Sequence, residues 1–236
     1  MSSGIGTRGV GELTGHRLKL IAIAAMFVDH IAWAFVENPL LSLFLHTVGR
    51  ITAPIMCFFI ARGYQHTRSL SRYLARLLVF AAASQIPFAL FAVGRPVLFP
   101  LNVLYTLALG LLAIYSYDKI EHKGLRLLTL GIIMILALPG DWGAFGVALC
   151  LLFHILRDQP AEQARALLVI ALALFVPELV LPRPFWLSFY HFGILLSLPL
   201  LHAYNGQRGG SKGSRWLFYI FYPAHLALLA LLQRLF

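Results

Sequence analysis

Charge is what this chain has least of. Asp, Glu, Lys and Arg make up only 12% of its 236 residues, about half the share found in a soluble domain. Acidic groups are scarcer still, with 9 Asp and Glu against 19 Lys and Arg. Both cysteines, Cys57 and Cys150, fall inside apolar runs, so a disulfide framework is not expected and the redox compartment stays open. No internal repeat stands out, which argues against the paired-repeat plan common in transporters. No soluble domain interrupts the apolar runs, and the longest linker is the Gly-rich basic loop Asn205–Arg215. The formal charge of +10 would suit nucleic acid only on a solvated face. Here the basic residues sit between apolar runs, so no nucleic-acid partner is expected.

What the chain has is hydrocarbon length. Hydrophobic residues make up 60% of it, and a membrane-crossing helix needs about 20 mostly apolar residues. The runs are Leu18–Val36, Leu40–Ala61, Leu70–Phe91, Leu101–Tyr117, Leu125–Leu138, Gly143–Leu156, Ala164–Leu181, Trp186–Tyr204 and Trp216–Leu232. They predict an all-α, polytopic membrane bundle of about nine spans, one domain over 17–236. The fifth and sixth runs are short and joined by Pro139-Gly140-Asp141, so two crossings or one re-entrant hairpin both fit. Residues 1–16, Gly-rich and polar, are expected to form a disordered cytoplasmic terminus. The first run has the length of an anchor and no small-residue cleavage site. With the N-terminus inside, only Arg50, Arg95, Arg183 and Arg234 of the 19 basic residues fall outside. That asymmetry predicts a cytoplasmic N-terminus in the inner membrane of what reads as a bacterial cell, surrounded by lipid.

Orientation turns position into depth, because an α-helix rises about 1.5 Å per residue. Asp29 and His30 in the first run and Arg50 in the second then lie at one level in the outer half. Gln85, Asn102 and His191 approach the same level, and His225 lies near the middle. Ionisable groups inside hydrocarbon are expensive and usually mark a function. Lys19 and His30 are eleven residues apart and share a helix face. Arg62, Arg68, Arg72 and Arg76 gather at the opposite mouth, with Arg68, Arg72 and Arg76 spaced i, i+4, i+8. Each feature also has a structural reading. Asp29 and Arg50 suit a buried ion pair as well as catalysis. The arginines suit lipid binding or plain topology as well as a phosphorylated ligand. Asn102, Gln85, His191 and His225 suit helix-to-helix hydrogen bonds as well as substrate contacts.

These residues resemble the TraX family. The likeness is carried by Asp29-His30, Gly49-Arg50-Ile51 with Pro54, Gly63 followed by His66-Thr67-Arg68, Tyr73 with Arg76, Ser84-Gln85-Ile86-Pro87, Asn102-Val103 with Thr106-Leu107, Asp141-Trp142-Gly143, and Phe221-Tyr222-Pro223-Ala224-His225. A weaker likeness to acyltransferase-three membrane enzymes rests on Lys19, ten residues, then His30. The Arg-x-x-Arg usual in those enzymes is replaced here by Arg72-x-x-x-Arg76. The resemblance implies a membrane acetyltransferase that takes acetyl from cytoplasmic acetyl-CoA. Its acceptor would be an amine or hydroxyl reached from the outer side: a protein N-terminus such as a pilin's, a sugar or a lipid amine. On that basis His30, Asp29 and Arg50 are the expected catalytic residues, with His30 as base and Arg50 or Asn102 facing the thioester oxygen. Lys19, Arg68, Arg72 and Arg76 are expected on the acetyl-CoA, and Asn102, Gln85, His191 and His225 on the acceptor; no metal is expected. The competing function is a proton-coupled transporter with Asp29, His30 and Arg50 as its relay.

Overall fold

The computed structural model describes residues 11–211 and 216–235. The described residues fold into ten α-helices and two 3₁₀ segments, with two isolated bridges and no strand. In chain order the helices are α1 (Gly15–Phe35), α2 (Pro39–Gly49), α3 (Thr52–His66), α4 (Leu70–Val93), α5 (Val103–Lys119), α6 (Lys123–Ala137), α7 (Gly143–Ile155), α8 (Pro160–Phe175), α9 (Ser197–His202) and α10 (Leu217–Leu232). All nine apolar runs are helical. Among the described residues five stretches are long and apolar enough to cross a membrane: Gly15–Phe35, Pro39–His66, Leu70–Val93, Pro160–Val180 and Phe185–His202. Arg8, Lys212 and Arg215, counted in the charge asymmetry, lie outside the described residues.

Local chemistry sets the helix starts. Thr14, Asn38, Ser69 and Asn102 each accept a backbone N–H of the first turn, capping α1, α2, α4 and α5. The second apolar run is one stretch in length and two helices in structure. Proline has no N–H, so Pro54 cannot satisfy the carbonyl of Arg50 four residues earlier, and the helix breaks at Arg50-Ile51. Thr52 then anchors the restart by donating to the Ala22 carbonyl of α1 at 3.0 Å.

Helices α5 and α7 form the centre. Leu104, Leu107, Leu111 and Ile114 of α5 and Val147, Leu149 and Cys150 of α7 are almost wholly buried. Helix α6, by contrast, turns Leu127, Leu128, Ile132, Ile135 and Leu136 outward. An apolar exterior over a packed apolar centre suits hydrocarbon surroundings.

Two expectations need correction. Residues 11–16 are not disordered. Leu13 donates to the Ala203 carbonyl, and Gly15 and His16 donate to Gln207 and Arg208, so the loop after α9 is sewn onto the start of α1. Residues 1–10 lie outside the described residues. The eighth run is also not one regular α-helix. Phe185–Leu196 is 3₁₀ and only Ser197–His202 is α. Gly193 in this segment lies directly against α2: a Cβ there would sit 2.1 Å from the Thr47 carbonyl oxygen.

Candidate functional site

Helices α1, α3, α4, α5 and α10, together with the α2–α3 break, enclose a cavity of about 390 Å³. His30, Asp29 and Trp33 face it from α1, Arg50 from the break, and Asp141-Trp142 from the α6–α7 connector. The connector is held by Thr106, which donates to the Asp141 carbonyl at 2.6 Å, and by the backbone bond from Asp141 to Leu101. Trp142 adopts a left-handed backbone, φ 64°, a conformation uncommon outside glycine that tends to collect at functional sites. Phe218, Tyr222 and Gln233 also line the cavity.

The three expected catalytic residues do meet here, but Asp29 and Arg50 do not form the ion pair that suited their shared depth. Asp29 bonds neither His30 nor Arg50. His46 Nδ1 donates to its Oδ1 at 2.8 Å, and the carboxylate packs against Gly49, where a Cβ would lie 2.4 Å from Oδ1. His46 sits four residues before Arg50 on α2, and that spacing is the sequence signal that it shares the site. Arg50 lies between two aromatic faces, 4.6 Å from the Tyr190 ring centre and 5.2 Å from that of Trp142. Its Nε has no hydrogen-bond partner, and among the described residues no carboxylate pairs with it. The guanidinium is thus held in place by stacking while its donors stay available.

The four residues expected on the acceptor do other work. Asn102 Nδ2 donates to the Ala81 carbonyl (2.7 Å) and to Gln85 Oε1 (2.9 Å), while its Oδ1 caps Leu104. Gln85 Nε2 donates to the carbonyls of Leu98 and Pro100 at 2.9 and 2.8 Å. These amides bind the α4–α5 loop to α4 and have no donors left for a substrate. His191 lies outside the main cavity, with Nε2 3.0 Å from Glu178 Oε1. Glu178 also takes the Tyr190 hydroxyl at 3.1 Å and pairs with Arg183. His225 stands behind His30: its Nε2 is 2.7 Å from His30 Nδ1, and its own Nδ1 is 2.8 Å from the Phe221 carbonyl oxygen.

A second cavity, about 490 Å³, opens on the same α1, α3, α4 and α10. Lys19, Arg62, Arg76 and Arg208 line it with His16 and His66, and no carboxylate does among the described residues. Each of three cations rests on a ring: Lys19 on Phe59 (4.7 Å), Arg62 on Tyr204 (5.7 Å) and Arg76 on Tyr73 (5.3 Å). The Nε atoms of Arg62 and Arg76 are buried without a hydrogen-bond partner. Of the expected acetyl-CoA set, Lys19 and Arg76 are here, but Arg68 and Arg72 are exposed and line neither cavity. Helix α4 begins only at Leu70, so Arg68 is not on it, and the supposed arginine stripe does not form. Arg62 and Arg208 take their places, Arg208 brought in by the loop bonded to α1. Along α3 and α10 the lining passes from Cys57 and Phe218 in the first cavity to Phe59 and Tyr219 in the second.

The family model described as TraX protein matches residues 14–233. The chain belongs to the TraX family. A curated relative, the probable fimbrial assembly protein FimC, serogroup H1, of Dichelobacter nodosus, is 34% identical over 227 residues, covering 88% of this chain and 90% of its own. No solved structure matches. The match spans both cavities, so each of the residues just described lies inside the region this chain shares with other TraX proteins.

Proposed function

We propose that this TraX-family chain is a membrane acetyltransferase, moving acetyl from cytoplasmic acetyl-CoA to an amine or hydroxyl of an acceptor that arrives from the outer side of the inner membrane. The observation that carries the reading is the pair of cavities lined by the same four helices, α1, α3, α4 and α10. One offers unpaired cations and no acid; the other offers an imidazole, a guanidinium and two carboxylates within mostly apolar walls. A relay for protons alone would not need the first.

The basic cavity suits a polyphosphate. Arg62 and Arg76 carry buried donors with no protein acceptor, and guanidinium groups match phosphate oxygens in bidentate fashion. Lys19 and Arg208 add charge at the same place. Acetyl-CoA would supply an activated acetyl group on a thioester, delivered past Phe59 and Phe218 into the second cavity.

There the chain's residues divide the work. His30 takes the proton from the acceptor's nitrogen or oxygen as the new bond to the acetyl carbon forms and the carbon–sulfur bond breaks. The same proton then goes to the departing thiolate. Arg50, stacked and unpaired, meets the charge that develops on the carbonyl oxygen. Asp29 and His46 hold α1 against α2, which keeps His30 and Arg50 on one level. The apolar walls of Met26, Met56, Phe88 and Leu107 keep water from competing for the acetyl group. The name of the relative, a fimbrial assembly protein, favours a protein amine over a sugar or lipid amine as acceptor.

The test is transfer of labelled acetyl from acetyl-CoA to peptide, sugar and lipid amines by purified protein, with His30→Ala alongside. Transfer that His30→Ala abolishes supports the reading. No transfer to any of them, together with proton-linked solute uptake in vesicles, would replace it with transport.

A further inference from the structure

We propose that His225 is a positioning residue: it holds His30 in the tautomer that leaves Nε2 bare and facing the cavity. The proposal rests on the acyl-transfer reading, in which His30 takes the acceptor's proton.

The hydrogens can be placed by elimination. The Phe221 carbonyl oxygen can only accept, so the 2.8 Å contact puts the hydrogen of His225 on Nδ1. A neutral His225 therefore has a bare Nε2. The 2.7 Å contact with His30 must then be a donation from His30 Nδ1 into that lone pair. His30, also neutral, is left with its own lone pair on Nε2. His30 lines the cavity and His225 does not, so this row of bonds ends at one open nitrogen on the substrate side.

The ring planes are fixed as firmly as the hydrogens. His225 stacks on Phe221 with 4.6 Å between centres and 12° between planes. Its ring lies edge to edge with that of His30, centres 5.0 Å apart and planes 21° apart, as an in-plane N–H···N bond requires. Phe91 meets the His30 ring edge-on at 5.1 Å. When Nε2 takes a proton, the resulting imidazolium still donates through Nδ1 to His225, so charging His30 requires no rearrangement. A carboxylate in the place of His225 would fix the same tautomer but add a charge to an apolar site. An imidazole anchored to a backbone carbonyl does it without one. The nearest carboxylate on α1, Asp29, is already committed to His46.

The experiment uses the full chain in detergent with ¹⁵N-labelled histidine, and His30→Gln identifies the His30 signals. Wild-type protein is expected to show hydrogen on His30 Nδ1 and none on Nε2. In His225→Leu the Nδ1 hydrogen loses its acceptor, and the Nε2–H tautomer should become populated. In the same variant kcat for acetyl transfer should fall at least about 10-fold, the lower end of the loss seen when a group orienting a metal-bound imidazole is removed, with KM for acetyl-CoA unchanged. His225→Gln supplies an amide oxygen to accept from Nδ1 and should restore both the tautomer and most of kcat. It also decides the matter should the Leu variant fail to fold. Hydrogen on Nε2 in the wild type overturns the proposal, as does a Leu variant with unaltered tautomer and kcat. If wild-type protein transfers no acetyl at all, the acyl-transfer reading fails, and the spectra still report independently whether His225 sets the tautomer.

Discussion

Replacing Arg76 by Gln should weaken CoA binding far more than replacing Arg72 by Gln, although the two residues are one helical turn apart. Arg76 faces the basic cavity with a buried, unsatisfied Nε, stacked on Tyr73 and Tyr219. Arg72 is exposed and lines neither cavity. A hydrogen bond to a charged group contributes about 1.5–3 kcal/mol. Losing one at Arg76 therefore raises Kd about 10- to 150-fold. A surface change such as Arg72→Gln usually stays within about 0.5 kcal/mol, or roughly twofold. Ligand-induced stabilisation reads the difference directly. With CoA at about 100 times the wild-type Kd, stabilisation is about 2.7 kcal/mol. For a variant weakened a hundredfold, the same concentration gives only about 0.4 kcal/mol. The measurement is a thermal shift against CoA concentration, repeated with Arg62→Gln, which should behave like Arg76→Gln. Equal losses at Arg72 and Arg76, or none at Arg76, would refute the placement of the phosphate site.

Further outcomes follow from the packing. Gly49→Ala puts a Cβ 2.3 Å from that of Asp29, an overpacking expected to cost about 1–3 kcal/mol; a melt in detergent should show the drop, together with reduced transfer as α1 and α2 separate. Asn102→Ala removes an N-cap and two buried donations at once. It should lower stability by about 1–3 kcal/mol while leaving KM for the acceptor unchanged in the folded fraction, and a raised KM would return Asn102 to the substrate. Pro54→Ala restores an N–H to the helix at the break, and the expected result is a loss of transfer as Arg50 is drawn into a continuous helix. Unchanged activity would show that the break does not position Arg50.

The sequence made the apolar runs and the shared level of Asp29, His30 and Arg50 legible, because hydrocarbon length and a fixed rise per residue convert position into depth. It did not make the partners legible. Depth places side chains along the helix axis but says little about rotation across the bundle, so depth alone offers Arg50 as the partner of Asp29 while rotation brings it to His46. Asn102 shows a second limit. A polar residue at the right depth can be consumed by the backbone around it, and only the geometry reveals that Asn102 and Gln85 have no free donors. The arginine stripe failed for a local reason: Ser69 caps α4, which leaves Arg68 outside the helix. Arg208 entered the basic cavity from a loop, where no periodicity points to it.

The central claim is that acetyl passes from the basic cavity to the His30 cavity through one protein. It is tested most directly in sealed proteoliposomes containing oriented protein, with labelled acetyl-CoA on the face of the basic cavity and an amine acceptor only on the other. Labelled acetyl should appear on the acceptor across the membrane, and both His30→Ala and Arg76→Gln should suppress it. Acetyl transfer that needs donor and acceptor on the same face, or that survives His30→Ala, would contradict the account.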